Sequence, residues 1–244
     1  MKKTMMIVAS LLLVTMCSFV LVGCFDNPEK TLKGVEDATA YKITVDTVTT
    51  KGATKKTETL IDGDKMKYTE ETFILYTDGK VRLDEIKQWY YWKDNGELKV
   101  AYREGGKTLK DIADETAYQS KYDELKADEK YFQVIEMTDM LKSTYDNYLQ
   151  RANVSGNDLG EDLDGLWEYY GKEKGKLLSE KQDDGTLKIQ FQNKMVNDVY
   201  YPNTTWGVKD KKLVYKVRHL VTDNQEYYYY YDAQTVTVPE YLNA

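Results

Sequence analysis

The sequence predicts an α+β fold, a single curved antiparallel sheet with a helical segment in mid-chain, on the strength of three observations. Residues 41–103 alternate apolar and polar side chains and break at Asp62-Gly63, Asp78-Gly79 and Asp94-Asn95-Gly96. Period two marks half-buried strand, and Asp-Gly or Asn-Gly supplies the positive φ that a tight hairpin needs. From Leu109 to Tyr148 the apolar spacing changes to three and four residues, the period of a helix buried on one side. Alternation then returns from Leu187 to the C-terminal region. Strands, helices and strands again, with short connections, argue for one antiparallel sheet and against parallel βαβ units.

The chain starts with Lys2 and Lys3, runs through an uncharged apolar stretch to about Val22, and reaches Leu21-Val22-Gly23-Cys24. A basic start, an apolar run and a small-residue cleavage site compose an export leader. A membrane-spanning anchor needs about 20 apolar residues, which this run barely supplies. The four residues ending in Cys24 resemble a lipobox, the signal of bacterial lipoproteins. That resemblance implies removal of residues 1–23, a diacylglyceryl group on the Cys24 thiol, and display on the extracytoplasmic face of a cell membrane. More than one acyl chain gives durable anchoring. Residues 24–40, with Asp26, Asn27, Pro28 and several charges, are expected to be the lipidated cysteine and a tether, and residues 41–244 a single domain.

Within that domain, Tyr41, Ile43 and Val45 begin the first strand, and Thr57, Thr59 and Ile61 continue after Lys51-Gly52-Ala53. Met66 and Tyr68, Phe73 to Tyr76, Val81 to Leu83, Trp89 to Trp92, and Leu98 to Val100 extend the meander. Two amphipathic helices are expected next. One carries Leu109, Ile112, Ala113, Tyr118, Tyr122 and Leu125; the other carries Tyr131, Val134, Ile135, Thr138, Leu141, Tyr145 and Tyr148, with a joint near Ala127-Asp128. Residues 153–160 read as a loop, followed by a short helix through Leu163, Leu166, Trp167 and Tyr170. Strands resume at Leu187, Ile189 and Phe191, at Leu213, Tyr215 and Val217, and at Tyr227 to Tyr231 after Asp223-Asn224.

Removing 23 residues from 244 leaves 221, enough for a substantial core. The only cysteine besides Cys24 is Cys17 in the leader, so the mature chain contains no disulfide. Its 32 basic and 41 acidic side chains give a net charge of −9. Nucleic-acid binding needs clustered Lys and Arg to displace counterions; here lysines and acids are interleaved, so no nucleic-acid partner is expected.

His219 is the single histidine, and it lies in a strand pattern with no second histidine or cysteine in the mature chain. A zinc site of those ligands is therefore excluded, and a lone strand histidine reads as structural. No Gly-x-Ser-x-Gly, P-loop or Gly-x-Gly-x-x-Gly pattern occurs. The acidic run from Asn157 to Gly165 departs from the calcium-loop spacing and reads as a solvated loop or helix cap. No catalytic residue, metal or cofactor is expected.

The chain carries 22 Tyr and 4 Trp, several in runs such as Trp89 to Trp92 and Tyr227 to Tyr231. Successive strand residues point to opposite faces, so these runs place aromatics on both sides of the sheet. One side belongs to a core; the other must be covered by helices, a ligand or a partner. Alternatively, tyrosine simply suits strands and tolerates exposure.

The layout resembles the LolA-like superfamily of lipoprotein carriers. The features that carry the resemblance are Asp62 to Tyr68, Tyr76-Thr77-Asp78-Gly79-Lys80, the helical middle, and Tyr229 to Asp232 followed by Val236-Thr237-Val238-Pro239-Glu240. It implies a half-barrel sheet wrapped around the helical middle segment, and a non-enzymatic protein binding a lipid or other hydrophobic ligand. Trp89, Tyr91, Tyr215 and Tyr229 are the candidate ligand-binding residues. The alternative is a lipoprotein of envelope protein–protein contacts without a small ligand. A packed interior with an exposed aromatic face favours the alternative, and an apolar cavity between sheet and helices favours the carrier.

Overall fold

The computed structural model describes residues 27–48, 54–76, 78–171, 175–193, 204–220 and 225–242. Cys24, the expected leader, and the breaks expected at residues 51–53 and at Asp223-Asn224 lie outside them. The expected α+β architecture is present, with eleven strands in one large, curved, open antiparallel sheet. The strands are β2 (Lys42–Val48), β3 (Thr54–Asp62), β4 (Lys65–Leu75), β5 (Val81–Asp94), β6 (Glu97–Gly105), β7 (Gln133–Ile135), β9 (Gly175–Lys181), β10 (Leu187–Asn193), β11 (Thr204–Lys209), β12 (Lys212–Leu220) and β13 (Gln225–Tyr230). A two-stranded ribbon pairs β1 (Ala38–Thr39) with β8 (Asn153–Val154).

The sheet order is β7-β6-β5-β4-β3-β2-β13-β12-β11-β10-β9. Two meanders, one from each end of the chain, are thus joined where β13 pairs with β2, Tyr229 opposite Ile43. At the β5–β6 turn, Asn95 and Gly96 both take positive φ, 51° and 84°. That two-residue turn sets Asp94 opposite Glu97 and, five residues back, Trp89 opposite Tyr102.

Each of the four α-helices among the described residues is started by a side-chain cap. Asn27 accepts from the Glu29 and Lys30 backbone N–H groups ahead of α1 (Pro28–Lys33), with Pro28 in the first turn where its missing N–H costs nothing. Asp114 caps α2 (Glu115–Ala127), and Thr138 caps α3 (Asp139–Ala152). Ser155 and Asp158 form a reciprocal capping box that opens α4 (Gly156–Tyr170). The short strand β8 and the start of this helix therefore replace the loop expected over residues 153–160, and Asp158 has a capping role. Among the described residues no helix is long and apolar enough to cross a membrane.

The helical middle departs from the expected arrangement. Residues 131–138 are not the first half of a helix. Val134 and Ile135 pair with Ala101 and Val100 as the edge strand β7. Tyr131, at φ 68°, breaks helical continuity, and β-branched neighbours favour the pleated edge. Because β7 lies at the sheet edge, the chain passes there from one face to the other. The sheet therefore does not wrap around one helical segment. α2 covers one face, packing Tyr118, Tyr122 and Leu125 with Leu83 and Ile86. α3 covers the opposite face, packing Tyr145 and Ala152 with Ile43, Ile61, Met66, Tyr91 and Val100. α4 and α1 lie on the α3 side over β9–β12, where Leu159, Leu163 and Leu32 enclose Ile189, Phe191 and Trp206. The C-terminal stretch through Val236, Val238 and Leu242 completes the α2 side over Tyr90, Trp92 and Phe132.

Residues 28–40, assigned to the tether, are built into the body. Leu32 and Ala40 are completely buried and Val35 is nearly so.

Candidate functional site

Cross-strand register decides which aromatics meet. Tyr68 stands opposite Trp89 and Trp89 opposite Tyr102, placing three rings in line across β4, β5 and β6 on the α3 face. Ring centroids are 5.2 Å apart for Tyr68 and Trp89 and 5.0 Å for Trp89 and Tyr102. Tyr148 of α3 extends the line, 5.3 Å from Tyr68. Tilted pairs at such separations each contribute about 0.5–1.5 kcal/mol beyond area burial. The result is a half-buried aromatic strip running from the helix toward the exposed Glu104.

The hydroxyls along the strip are directed by carboxylates two residues farther along the same strand. Tyr68 donates to Glu70 at 3.3 Å, and Tyr102 donates to Glu104 at 2.8 Å. Residues i and i+2 share a strand face, which makes this pairing geometrically natural. Burial, reinforced by the negative charge of these partners, pushes both phenols above their ordinary value, so they remain neutral donors at physiological pH. Donation from Tyr102, with Lys107 alongside, holds the Glu104 carboxyl below its usual range. Acids and lysines alternate beside the rings. Lys55 pairs with Glu70, Lys87 with Glu85, and Lys107 with both Glu85 and Glu104. The surface offers aromatic faces and paired charges with little net field.

Of the four residues singled out in the sequence, the structure brings Trp89, Tyr91 and Tyr229 to the α3 face. Tyr91 is 1% exposed, stacked on Tyr145 at 5.6 Å, and burial pushes its hydroxyl up to about 12. Tyr229 is stacked on Tyr227 at 6.4 Å, with the Lys216 ammonium 5.8 Å from its ring. Both contribute to core packing. Trp89 alone belongs to the half-buried strip. Tyr215 is separate, because its register with Gly207 and Tyr230 puts it on the opposite face. A Cβ at position 207 would lie 2.3 Å from the Tyr215 ring, so Gly207 is what lets that ring lie across the neighbouring strand. His219 is on β12 in register with Glu226; its side chain lies outside the described set.

Sequence reading missed Tyr68, Tyr102 and Tyr148. The hairpin turn at Asn95-Gly96 contains the signal for Tyr102, since counting back from it sets Trp89 opposite that residue. Tyr148 is accessible only through helix docking.

Between α3 and the sheet the described side chains are closely packed, with Met66 and Val100 fully buried. Grooves formed by described residues lie elsewhere. One of about 330 Å³ runs past Asp37, Thr39, Asn153 and Asp158, and one of about 220 Å³ past Thr108, Lys121, Glu124 and Asp128. Both are rich in polar groups. Among the acids of the 157–165 run, Asp162 bonds Lys216 at 2.7 Å and Asp164 lies 3.6 Å from Lys33.

No family model and no curated protein matches this chain. Among solved structures, a DUF1329 family protein from Desulfovibrio piger is similar at 10% identity over 85% of this chain and 90% of that one. Its TM-score is 0.18, too low to carry an argument.

Proposed function

We propose that this chain is a bacterial lipoprotein, cut before Cys24, acylated on that thiol and held on the extracytoplasmic face of a membrane, where its body is a non-enzymatic binding module. The observation that carries the binding role is the strip Tyr148, Tyr68, Trp89 and Tyr102, whose rings are half-buried and in which Tyr68 and Tyr102 donate to strand carboxylates. The address rests on Leu21-Val22-Gly23-Cys24.

The two readings from the sequence separate on one feature. A LolA-like carrier holds acyl chains between sheet and helices, a space that the described side chains of the α3 core fill. The packed interior beside an aromatic strip favours the envelope-contact reading. A hydrophobic molecule bound by this protein would then lie along the strip.

Photo-cross-linking in intact envelopes tests the role. A photoreactive side chain at Tyr102 is expected to give discrete adducts, and the same group at Tyr215, on the opposite face, none. Adducts at 215 but not at 102 would overturn it. Mass analysis of the mature chain tests the address, with a diacylglyceryl increment on Cys24 expected and lost in Cys24→Ser.

A further inference from the structure

We infer that the folded body lies directly on the surface of its own membrane and that the tip of the β11–β12 hairpin, Lys209-Asp210-Lys211-Lys212, is its contact with anionic lipid headgroups; the inference rests on acylation of Cys24. Distance is the first argument. Asn27 already caps α1, and Leu32, Val35 and Ala40 are sealed in the core. Folded structure therefore begins three residues after Cys24. Three residues reach at most about 11 Å, only a few ångströms more than the ~5–8 Å of one headgroup layer. A body so held has no room to stand off.

The second argument is which part of the body the N-terminal segment meets. Glu36 donates its backbone N–H to the Lys211 carbonyl at 2.8 Å, fastening the hairpin tip to the segment that leaves the anchor. All four tip residues are exposed, three of them lysines, in a mature chain whose net charge is −9. Asp210 lies within the tip, and Asp184 of the adjacent β9–β10 turn, which accepts from the Thr186 backbone and hydroxyl, faces Lys209, so Lys211 and Lys212, both exposed, carry the positive charge that the inference uses.

The turn itself adds a third. Asp210 and Lys211 sit at φ 50° and 62°, in a two-residue turn that Asn-Gly would form at lower cost. A lysine thus occupies a position where glycine would relieve strain. Clustered lysines beside an anchor are attracted to anionic leaflets, and the attraction fades within a Debye length.

Lysine acetylation read by peptide mass spectrometry tests this on the mature acylated chain. It is placed in detergent, in phosphatidylcholine vesicles, and in vesicles that also contain phosphatidylglycerol. Lys211 and Lys212 are expected to react several-fold more slowly on phosphatidylglycerol vesicles than in detergent. Lys93, exposed on the β5–β6 hairpin six strands away, about 29 Å along the sheet, is expected to be unchanged. A flexible insertion of about 20 Gly and Ser residues after Asp26 should reduce the protection. Equal rates at Lys211 and Lys93 in every condition would overturn the inference, as would protection that ignores phosphatidylglycerol. The same spectra report the Cys24 increment. Should that thiol prove bare, a maleimide lipid on it supplies the anchor, so failure of acylation and failure of the headgroup contact stay distinct.

Discussion

The two faces of β4–β6 are made from the same three strands and are finished in opposite ways. On the α2 face, buried polar groups are joined to elements from elsewhere in the chain. Arg103 donates to Gln88 at 2.7 Å and lies 3.3 Å from Asp128 just past α2, while Gln88 donates to Thr69. Tyr122 donates to Glu71 at 2.7 Å, and the Leu83 N–H reaches the Tyr118 hydroxyl at 2.8 Å. The C-terminal stretch closes this side, with Val236 donating to Asp62 and Phe132 to the Tyr241 hydroxyl. On the α3 face the core is apolar and aromatic, and the outer hydroxyls of Tyr68 and Tyr102 donate to carboxylates of their own strands. One face is completed by the chain itself; the other keeps half-buried rings with satisfied hydroxyls. A sheet with one finished and one presented face suits a binding module.

The comparison can be broken at several points. Tyr91→Ala opens the α3 core where a ring is stacked and almost fully enclosed. It should cost about 4 kcal/mol in urea unfolding, and a loss below about 1 kcal/mol would show that this core is loosely filled. Arg103→Ala leaves the Gln88 carbonyl without its donor and removes the ion pair to Asp128 on the α2 face, and should cost about 2 kcal/mol in the same measurement.

Tyr122→Phe leaves Glu71, 5% exposed, with Lys126 at 3.7 Å as its remaining partner, and should cost between about 1 and 2 kcal/mol. Burial and the Glu71 carboxylate hold the Tyr122 phenol above its ordinary value. A group raised in the fold contributes stability that is complete below the unfolded value, about 10, and is lost as pH rises through the folded one. Urea stability should therefore fall above about pH 10, and less steeply in Tyr122→Phe. Tyr102→Ala, at the outer end of the strip, should change stability by less than about 1 kcal/mol while abolishing the adducts that a photoreactive group at Trp89 gives. Unchanged adducts would separate the strip from the binding role.

Local chemistry made much of this fold legible. Asn95-Gly96 and the alternation around it determine a hairpin and its register by themselves, because turn geometry and the two-residue period act over a few bonds. The caps Asn27, Asp114 and Thr138 are equally local, each satisfying free backbone donors three residues away or less, yet Asn27 falls in the expected tether and Thr138 on an expected helix face. Ser155 and Asp158 obey the same rule, yet Gly156 and Gly160 made that stretch read as loop.

Spacing alone misplaced residues 131–138. Apolar residues three and four apart fit a helix, but edge pairing of Val134 and Ile135 with β6 satisfies the same residues, and pairing with a distant strand leaves no local trace. Tyr215 was grouped with Trp89 and Tyr229 for a related reason. Parity within one strand is visible in a sequence, whereas the face a strand turns toward its neighbour depends on long-range register and on the bulge between Gly207 and Val208.

By itself the sequence determined most of the strand and helix segments, the hairpin turns and the acidic composition, all consequences of neighbours in the chain. Only the tertiary structure decided that α2 and α3 lie on opposite faces, that β13 closes on β2, and that Tyr148, Tyr68, Trp89 and Tyr102 form one line. These depend on contacts between residues tens to hundreds of positions apart, whose free energy exists only once the sheet has assembled.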